Sequence, residues 1–379
     1  MTVAVADQRG RPLGVLRLSL TARCNLACPY CLPDGQEPPG LLTLEQRLAV
    51  IGAAVSLGAR SLRLTGGEPL LNPQLEALIA AAARWRRAPD ATADRVGVGG
   101  AARGLAEIAL TSNGALLSAE RARALRLAGL DRLTLSLDGA DGAAVAAMAG
   151  LAGGAPAGEV LLAKVLAAIE HAQAAGFDPA LGALKLNAVI QRGRNHDQLL
   201  PLAALARERG VELRLIEFMD VGNRNGWRPE AVLSAAEMVE AIGRRWPLEP
   251  LGRSSHGTAS RWRYRDGGGG GSSTVGGGAH LAVVASVSAP FCGDCNRLRV
   301  TADGIAYTCL FAAPGSGLDL RPWLAPGTPP QALRQALADL WQQRADRWSE
   351  ERQEHWDRAA EDPSTLPGPA HAEMAYLGG

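Results

Sequence analysis

Apolar positions in the first 220 or so residues switch between two periods. Short runs with alternate residues apolar read as strands: LRLSL at 16–20, SLRLT at 61–65, EIALTS at 107–112, RLTLSLD at 132–138, LGALKLNAVI at 181–190 and ELRLIEFM at 212–219. Between them LTLEQRLAVIGAAVSLG, LEALIAAAARW, SAERARALRLAG, EVLLAKVLAAIEHAQAAG and HDQLLPLAALARERG carry apolar residues at helical spacing, and three of these end at Gly58, Gly129 and Gly210, as helix C-termini favour. Repeated strand and helix alternation implies parallel strands joined by right-handed crossovers. Six such units fall short of the eight of a closed barrel. The expectation is therefore an α/β chain with an open, partial (β/α)6 TIM-type barrel, its chemistry at the C-terminal ends of the strands.

Three stretches break the pattern. Ala88–Gly104 and Gly139–Gly158 are rich in Ala and Gly without clear periodicity and read as surface insertions or long loops that carry no chemistry. Gly267–Gly278 reads as a flexible tether inside a hairpin, between the strand-like WRYR and HLAVVASV. Past about Trp227 the alternation ends. The expected division is a barrel over 1–226 and a smaller C-terminal unit over 227–379.

With 379 residues and 47% hydrophobic content the chain can bury one large core and a smaller second unit. A net charge of +1 argues against a nucleic-acid partner, which needs a basic surface, so any anionic ligand must be met by local Arg or Lys. The N-terminus lacks an apolar core of signal-peptide length, and no run of about 18 apolar residues occurs. No membrane partner is expected. All six cysteines fall into two triples with none left for a disulfide framework, which points to a reducing, cytoplasmic setting.

The triples carry the candidate chemistry. Cys24, Cys28 and Cys31 follow the first predicted strand in C-x3-C-x2-C spacing. Zinc would want a fourth ligand, and the nearest histidine in sequence is His171. A 4Fe-4S cluster fits better, because three thiolates leave one iron without a protein ligand and free to bind a cofactor or substrate. Cys292, Cys295 and Cys309 repeat the theme as C-x2-C-x13-C, where a zinc ribbon recruiting His280 is the stronger competitor. Arg297 and Arg299 alternate on a predicted strand beside that triple, so both face one way and suggest a phosphate or carboxylate site. Lys185 lies in an otherwise apolar run, where a charge is costly unless it faces a cavity or a partner.

The C-x3-C-x2-C run with Tyr30 before its last cysteine, followed by GGEP at Gly66–Pro69, resembles the radical S-adenosylmethionine (SAM) superfamily. Adding LTSNG, LSLD, KLNAVIQRGRN, RLIEFMDVGNRNGW, FCGDCNRLRV and the terminal glycine pair narrows the resemblance to one family, molybdenum cofactor biosynthesis protein A, the GTP 3′,8-cyclases. The resemblance implies that Cys24, Cys28 and Cys31 hold a SAM-cleaving 4Fe-4S cluster and that Cys292, Cys295 and Cys309 hold a second one, whose open iron takes the guanine end of GTP. It implies SAM contacts from Tyr30, Gly67, Ser136 and Met219, and GTP contacts from Arg17, Arg63, Thr111, Lys185, Arg297 and Arg299. A 5′-deoxyadenosyl radical would take the hydrogen at ribose C3′, and the product would be (8S)-3′,8-cyclo-7,8-dihydroguanosine 5′-triphosphate. Gly378 and Gly379, with Arg17, would act in catalysis, the tail entering the site.

The implied partners are an electron donor, the downstream cyclic pyranopterin monophosphate synthase, and a second copy of the chain if it dimerises. The stretch after GGEP, LLNPQL, lacks the basic residue that the family carries there. Two other readings stand beside this one. One is a peptide-modifying radical SAM enzyme with an auxiliary cluster, which generally carries more C-terminal cysteines; the other is a non-catalytic scaffold using both triples structurally, which leaves GGEP and the strand-end polar residues without a purpose.

Overall fold

The computed structural model describes residues 5–32, 35–86, 104–222, 224–267, 279–361 and 371–378. The six predicted strands are present as β1 (Val15–Ser19), β2 (Ser61–Thr65), β3 (Glu107–Ser112), β4 (Arg132–Ser136), β5 (Leu184–Ile190) and β6 (Glu212–Glu217), paired in parallel and in chain order. Helices α1 (Leu44–Ser56), α2 (Leu75–Ala82), α3 (Ala119–Ala128), α4 (Gly142–Ala149), α5 (Gly154–Ala174) and α6 (Leu199–Glu208) run between them, followed by α7 (Ala235–Arg245).

The two faces of this sheet differ by the strict alternation of a strand. Leu16, Leu18, Leu62, Leu64, Ile108, Leu110, Leu133, Leu135, Leu186 and Leu213 are at most 1% exposed and belong to the core shared with the helices. Each contributes about 1.5–3 kcal/mol of burial. The residues between them are polar and line the opposite, inner face: Arg17, Arg63, Thr65, Thr111, Arg132, Thr134, Ser136, Asn187 and Arg214. The apolar positions secure the fold while the intervening ones are left free to be charged.

The remaining strands are β7 (Leu248–Arg253), β8 (Ser260–Tyr264), β9 (His280–Val284), β10 (Arg297–Val300), β11 (Ile305–Tyr307) and β12 (Leu318–Asp319), with helices α8 (Pro330–Gln342), α9 (Trp348–Glu361) and α10 (Met374–Leu377). They join the same sheet, whose order is β12-β11-β10-β1-β2-β3-β4-β5-β6-β9-β8-β7. β10 pairs in parallel with β1 and β9 in parallel with β6, so residues beyond 227 extend both edges of the six-strand unit. The order does not close on itself, as an open barrel requires. β8 and β9 pair antiparallel, as the hairpin reading asks, although the glycine-rich tether between them lies outside the described residues.

Gly139–Gly158 corrects the sequence reading. It is not a surface loop but α4 and the first turn of α5, joined at the αL cap of Gly150. The small residues are what let the two helices touch: a Cβ on Gly158 would lie 1.8 Å from the carbonyl oxygen of Gly142. Uniform Ala and Gly hid the periodicity because close backbone contact, not large side chains, carries the packing. Val145, Met148 and Ala149 of α4 also line the central cavity, so the segment is part of the candidate site. The other Ala- and Gly-rich stretch lies outside the described residues apart from Gly104. No single helix among the described residues is long and apolar enough to cross a membrane.

Gly158→Ala gives a clear test of the crossing. Helix propensity alone favours Ala by about 1 kcal/mol, but overpacking against the Gly142 carbonyl costs about 1–3 kcal/mol. The variant is expected to lose net stability in urea titration, whereas a gain would place the crossing elsewhere.

Candidate functional site

The strand ends surround a cavity of about 310 Å³ lined by all six cysteines. Cys24, Cys28 and Cys31 sit on the loop after β1, Cys292 and Cys295 on the loop before β10, and Cys309 just after β11. The register puts Arg299, Arg17 and Arg63 side by side across β10, β1 and β2, between the two triples in the sheet. Tyr30, Gly67, Thr111, Ser136, Met219 and Arg297 also line the cavity. Gly67 is pressed against the first cysteine loop so closely that a Cβ would lie 2.1 Å from the carbonyl oxygen of Arg23.

Lys185 is placed differently from the other cations. It faces inward on β5 but does not line the cavity; it pairs with the buried Glu212 at 2.9 Å. Glu212 also accepts from Arg214 at 2.8 Å and pairs with Arg261 at 2.9 Å. Burial alone would raise its carboxyl, yet Arg214 and Lys185 hold it at about 2. A second carboxylate, Glu107, takes both nitrogens of Arg132 at 2.7 and 2.8 Å and is held at about 2 in the same way, Arg132 outweighing burial. Arg132 and Arg214, which the sequence reading did not single out, rise from these carboxylates into the cavity. Their signal was present, since each is the one cation in an alternating strand.

In the row above, Glu107 also acts on Arg63, and Cys295 and Cys309 act on Arg299. Arg63 Nε and Arg299 Nη1 are buried and make no hydrogen bond. Burial, then Arg132, brings Arg63 down to about 9; burial, then Arg297, brings Arg299 to about 10; burial and Arg299 hold Arg17 well below the usual guanidinium range. Burial is the main cost in each case, and neighbouring guanidiniums add to it. A bound polyanion would reverse that cost, because each orphaned donor would gain a charged acceptor.

The cysteine loops are anchored from distant parts of the chain. Arg344 donates to the Cys295 carbonyl at 2.6 Å, and Arg11 to the Cys292 carbonyl at 2.8 Å. Both guanidiniums converge on the fully buried carboxylate of Asp7. Burial would raise the Cys295 thiol, but Arg297 and Arg344 bring it down to about 6, with Arg297 Nε 3.3 Å from the sulfur. Burial instead pushes Cys31 and Cys309 up to about 12. On the first loop Asn113 Nδ2 lies 3.7 Å from Cys24 Sγ, and the Tyr30 hydroxyl donates to Asp138 at 2.7 Å. Asp138, raised by burial to about 6, also accepts from the Val189 amide at 2.7 Å.

Each triple offers three soft thiolates, the donor type that iron–sulfur clusters take. Among the described residues no group of three or more His, Cys, Asp and Glu side chains surrounds one metal ion. The three thiolates of a cubane site bind three different irons and need not converge on a point. His280, the recruit of the zinc alternative, lies at the start of β9, where Arg261, Glu212 and Lys185 act on its charge, and it does not line the cavity.

The end of the chain reaches the same place. Gly378 has φ 65° and its carbonyl accepts from Arg17 Nε at 3.1 Å and Nη2 at 2.7 Å. A Cβ there would meet Thr65 Cγ2 at 2.5 Å. Met374 and Ala375 line the cavity, while Gly379 lies outside the described residues.

Residues 18–206 match the family model of the Radical SAM superfamily, and residues 211–350 match that of Molybdenum Cofactor Synthesis C. The chain is 57% identical to a GTP 3′,8-cyclase of Synechococcus sp. (strain CC9902), covering 98% of both chains. It is 60% identical to one of Synechococcus sp. (strain CC9605), over 100% of this chain and 99% of that one, and 41% identical to one of Acidothermus cellulolyticus, over 100% of each. Among solved structures, SuiB of Streptococcus suis bound to S-adenosylmethionine shares the fold at TM-score 0.58 and 12% identity, over 91% of this chain and 68% of that one.

The Glu107–Arg132 pair makes a pH-dependent contribution that can be measured. Because the folded carboxyl lies at about 2, below its usual 4.5, the pair's stabilisation is complete above 4.5 and is lost as pH falls toward 2. Glu107→Gln is expected to cost on the order of 1–2 kcal/mol at pH 7, with the difference from the unmodified protein shrinking below pH 4.5. A difference constant with pH in urea titrations would show that charge is not what the pair contributes.

Proposed function

This chain belongs to the GTP 3′,8-cyclase family of the radical SAM superfamily, and from that premise we propose how its residues divide the work. The reaction is the cyclisation of GTP to (8S)-3′,8-cyclo-7,8-dihydroguanosine 5′-triphosphate, the first step of molybdenum cofactor biosynthesis. The chain uses SAM and iron–sulfur chemistry. Cys24, Cys28 and Cys31 would hold one 4Fe-4S cluster and Cys292, Cys295 and Cys309 the other. When bound, the first cluster with SAM supplies a one-electron cleavage that yields a hydrogen-abstracting radical, and the second supplies an open iron for the guanine end.

The observation that carries this assignment is the row of buried cations between the two triples, with Arg63 Nε and Arg299 Nη1 lacking an acceptor. Arg17, Arg63, Arg297 and Arg299 bind the triphosphate, and Arg132 and Arg214 add charge from the opposite strands. Thr111 offers a hydroxyl to the nucleotide. Lys185 acts from below through Glu212 rather than by touching the cavity. Tyr30, Gly67, Ser136 and Met219 accept SAM, with Gly67 leaving room beside the Arg23 carbonyl and Asp138 fixing the Tyr30 ring through its hydroxyl. Val145, Met148 and Ala149 wall the cavity with apolar surface that keeps water from a reactive intermediate. Arg17 and the Gly378 carbonyl orient the ribose, with Gly379 completing the tail.

In this reading residues 1–226 supply the SAM half and 227–379 the second cluster and the tail, acting across one sheet. The reaction sits in the cytoplasm, draws on a one-electron donor and delivers its product to cyclic pyranopterin monophosphate synthase; a homodimer is compatible with it. Anaerobic incubation of reconstituted, reduced protein with SAM is expected to release 5′-deoxyadenosine only when GTP is present, with a cyclised triphosphate of unchanged mass. Deoxyadenosine formed independently of GTP would move the substrate to another class.

The glycine tail gives a second test. Gly378→Ala puts a methyl group against Thr65 and strains a left-handed residue. Cyclisation is expected to fall about 100-fold or more, roughly 2.7 kcal/mol of lost transition-state stabilisation, with iron and sulfide content unchanged. Normal turnover would remove the tail from the reaction.

A further inference from the structure

The tail's last residues meet Arg17, but a separate contact sets where the tail begins its descent. Glu373 immediately precedes α10 and accepts from Arg224 Nε at 3.1 Å. The same guanidinium donates through Nη2 to the Leu32 carbonyl at 2.9 Å. Leu32 follows Cys31 directly and holds φ 45°, a left-handed conformation that a leucine rarely adopts. Its amide donates to the Cys28 carbonyl at 2.9 Å, closing the turn that ends the first cysteine loop. Gly222, two residues before Arg224, has φ 80°, and a Cβ there would fall 2.2 Å from Glu373 Oε2. A side chain at that position would displace the carboxylate from its seat.

We propose that Arg224 is a positioning residue which, with Gly222, latches Glu373 of the tail to the turn closing the Cys24–Cys31 loop, so that the tail and the first cysteine centre are set as one unit. One guanidinium holds a backbone carbonyl 192 residues before it and a side-chain carboxylate 149 residues after it. Only the single short helix α10 separates Glu373 from Gly378, so a shift of Glu373 is transmitted to the carbonyl on Arg17. The amides of Tyr376 and Leu377 both donate to the Glu373 carbonyl, which makes the residue the anchor of that helix as well. The inference deepens the reading of the tail as part of the active site and rests on it for its catalytic consequence.

The test compares the full-length chain with Arg224→Ala, Arg224→Lys, Glu373→Ala and the double alanine variant. Amide hydrogen exchange of a peptide covering 371–378 is followed by mass spectrometry before cluster loading; kcat and KM for GTP are measured after it. Loss of one charge-assisted contact predicts exchange about three- to tenfold faster in either alanine variant. The double variant should exchange no faster than the singles, Arg224→Lys should fall between, and kcat should drop with KM for GTP nearly unchanged. Unchanged exchange in both single variants, or additive effects in the double, would overturn the latch. A loosened tail with undiminished cyclisation would sustain the latch and overturn the tail's part in the reaction.

Discussion

Crowding several guanidiniums onto the inner face of one sheet is the constraint that the rest of the molecule answers. Like charges in a low-dielectric interior repel strongly, and Arg17, Arg63 and Arg299 are depressed by burial first and by neighbouring guanidiniums after it. Glu107 and Glu212 relieve it at the floor by holding Arg132, Arg214 and Lys185. The row above keeps Arg63 Nε and Arg299 Nη1 buried without an acceptor, while Leu and Ile on the outer face secure the strands that carry it. The division of labour between two faces of one strand lets the site be unfavourable until substrate arrives. In the proposed function, a triphosphate on this row would relieve repulsion as well as add contacts, which would favour it over less charged ligands.

Much of this was legible in the sequence because period-two alternation is a local property. The six parallel strands and the open barrel follow from it, as does the shared face of Arg297 and Arg299, while Arg17 and Arg63 came from the family resemblance. The cysteine triples were legible by spacing. What escaped were properties that depend on which segments meet. The Ala- and Gly-rich α4 and first turn of α5 looked featureless because their packing runs through backbone contact at Gly142 and Gly158. β9 and β10 joined the edges of the first sheet because pairing is long-range, and no local pattern announces a parallel partner nearly three hundred residues away.

The anchoring of the cysteine loops was illegible for the same reason. Asp7, Arg11 and Arg344 drew no notice in the sequence, yet they form one buried group whose guanidiniums hold the carbonyls of Cys292 and Cys295. Asp138 likewise reads as a strand-end residue until the fold sets it against Tyr30. Arg11 and Arg344 hold backbone carbonyls of the second cysteine loop, and Asp138 holds the Tyr30 side chain on the first. Rigid loops of this kind suit a reaction that passes through a radical, where positioning rather than acid–base chemistry decides the outcome.

In the proposed function one substrate lies on the cation row between two iron–sulfur centres. Crystals of the reconstituted protein grown anaerobically with GTP, with data collected at the iron absorption edge, test it most directly. The account predicts two separate iron anomalous signals, one at Cys24, Cys28 and Cys31 and one at Cys292, Cys295 and Cys309, with the triphosphate between them on Arg17, Arg63 and Arg299. A single iron signal, or nucleotide bound away from that row, would contradict it.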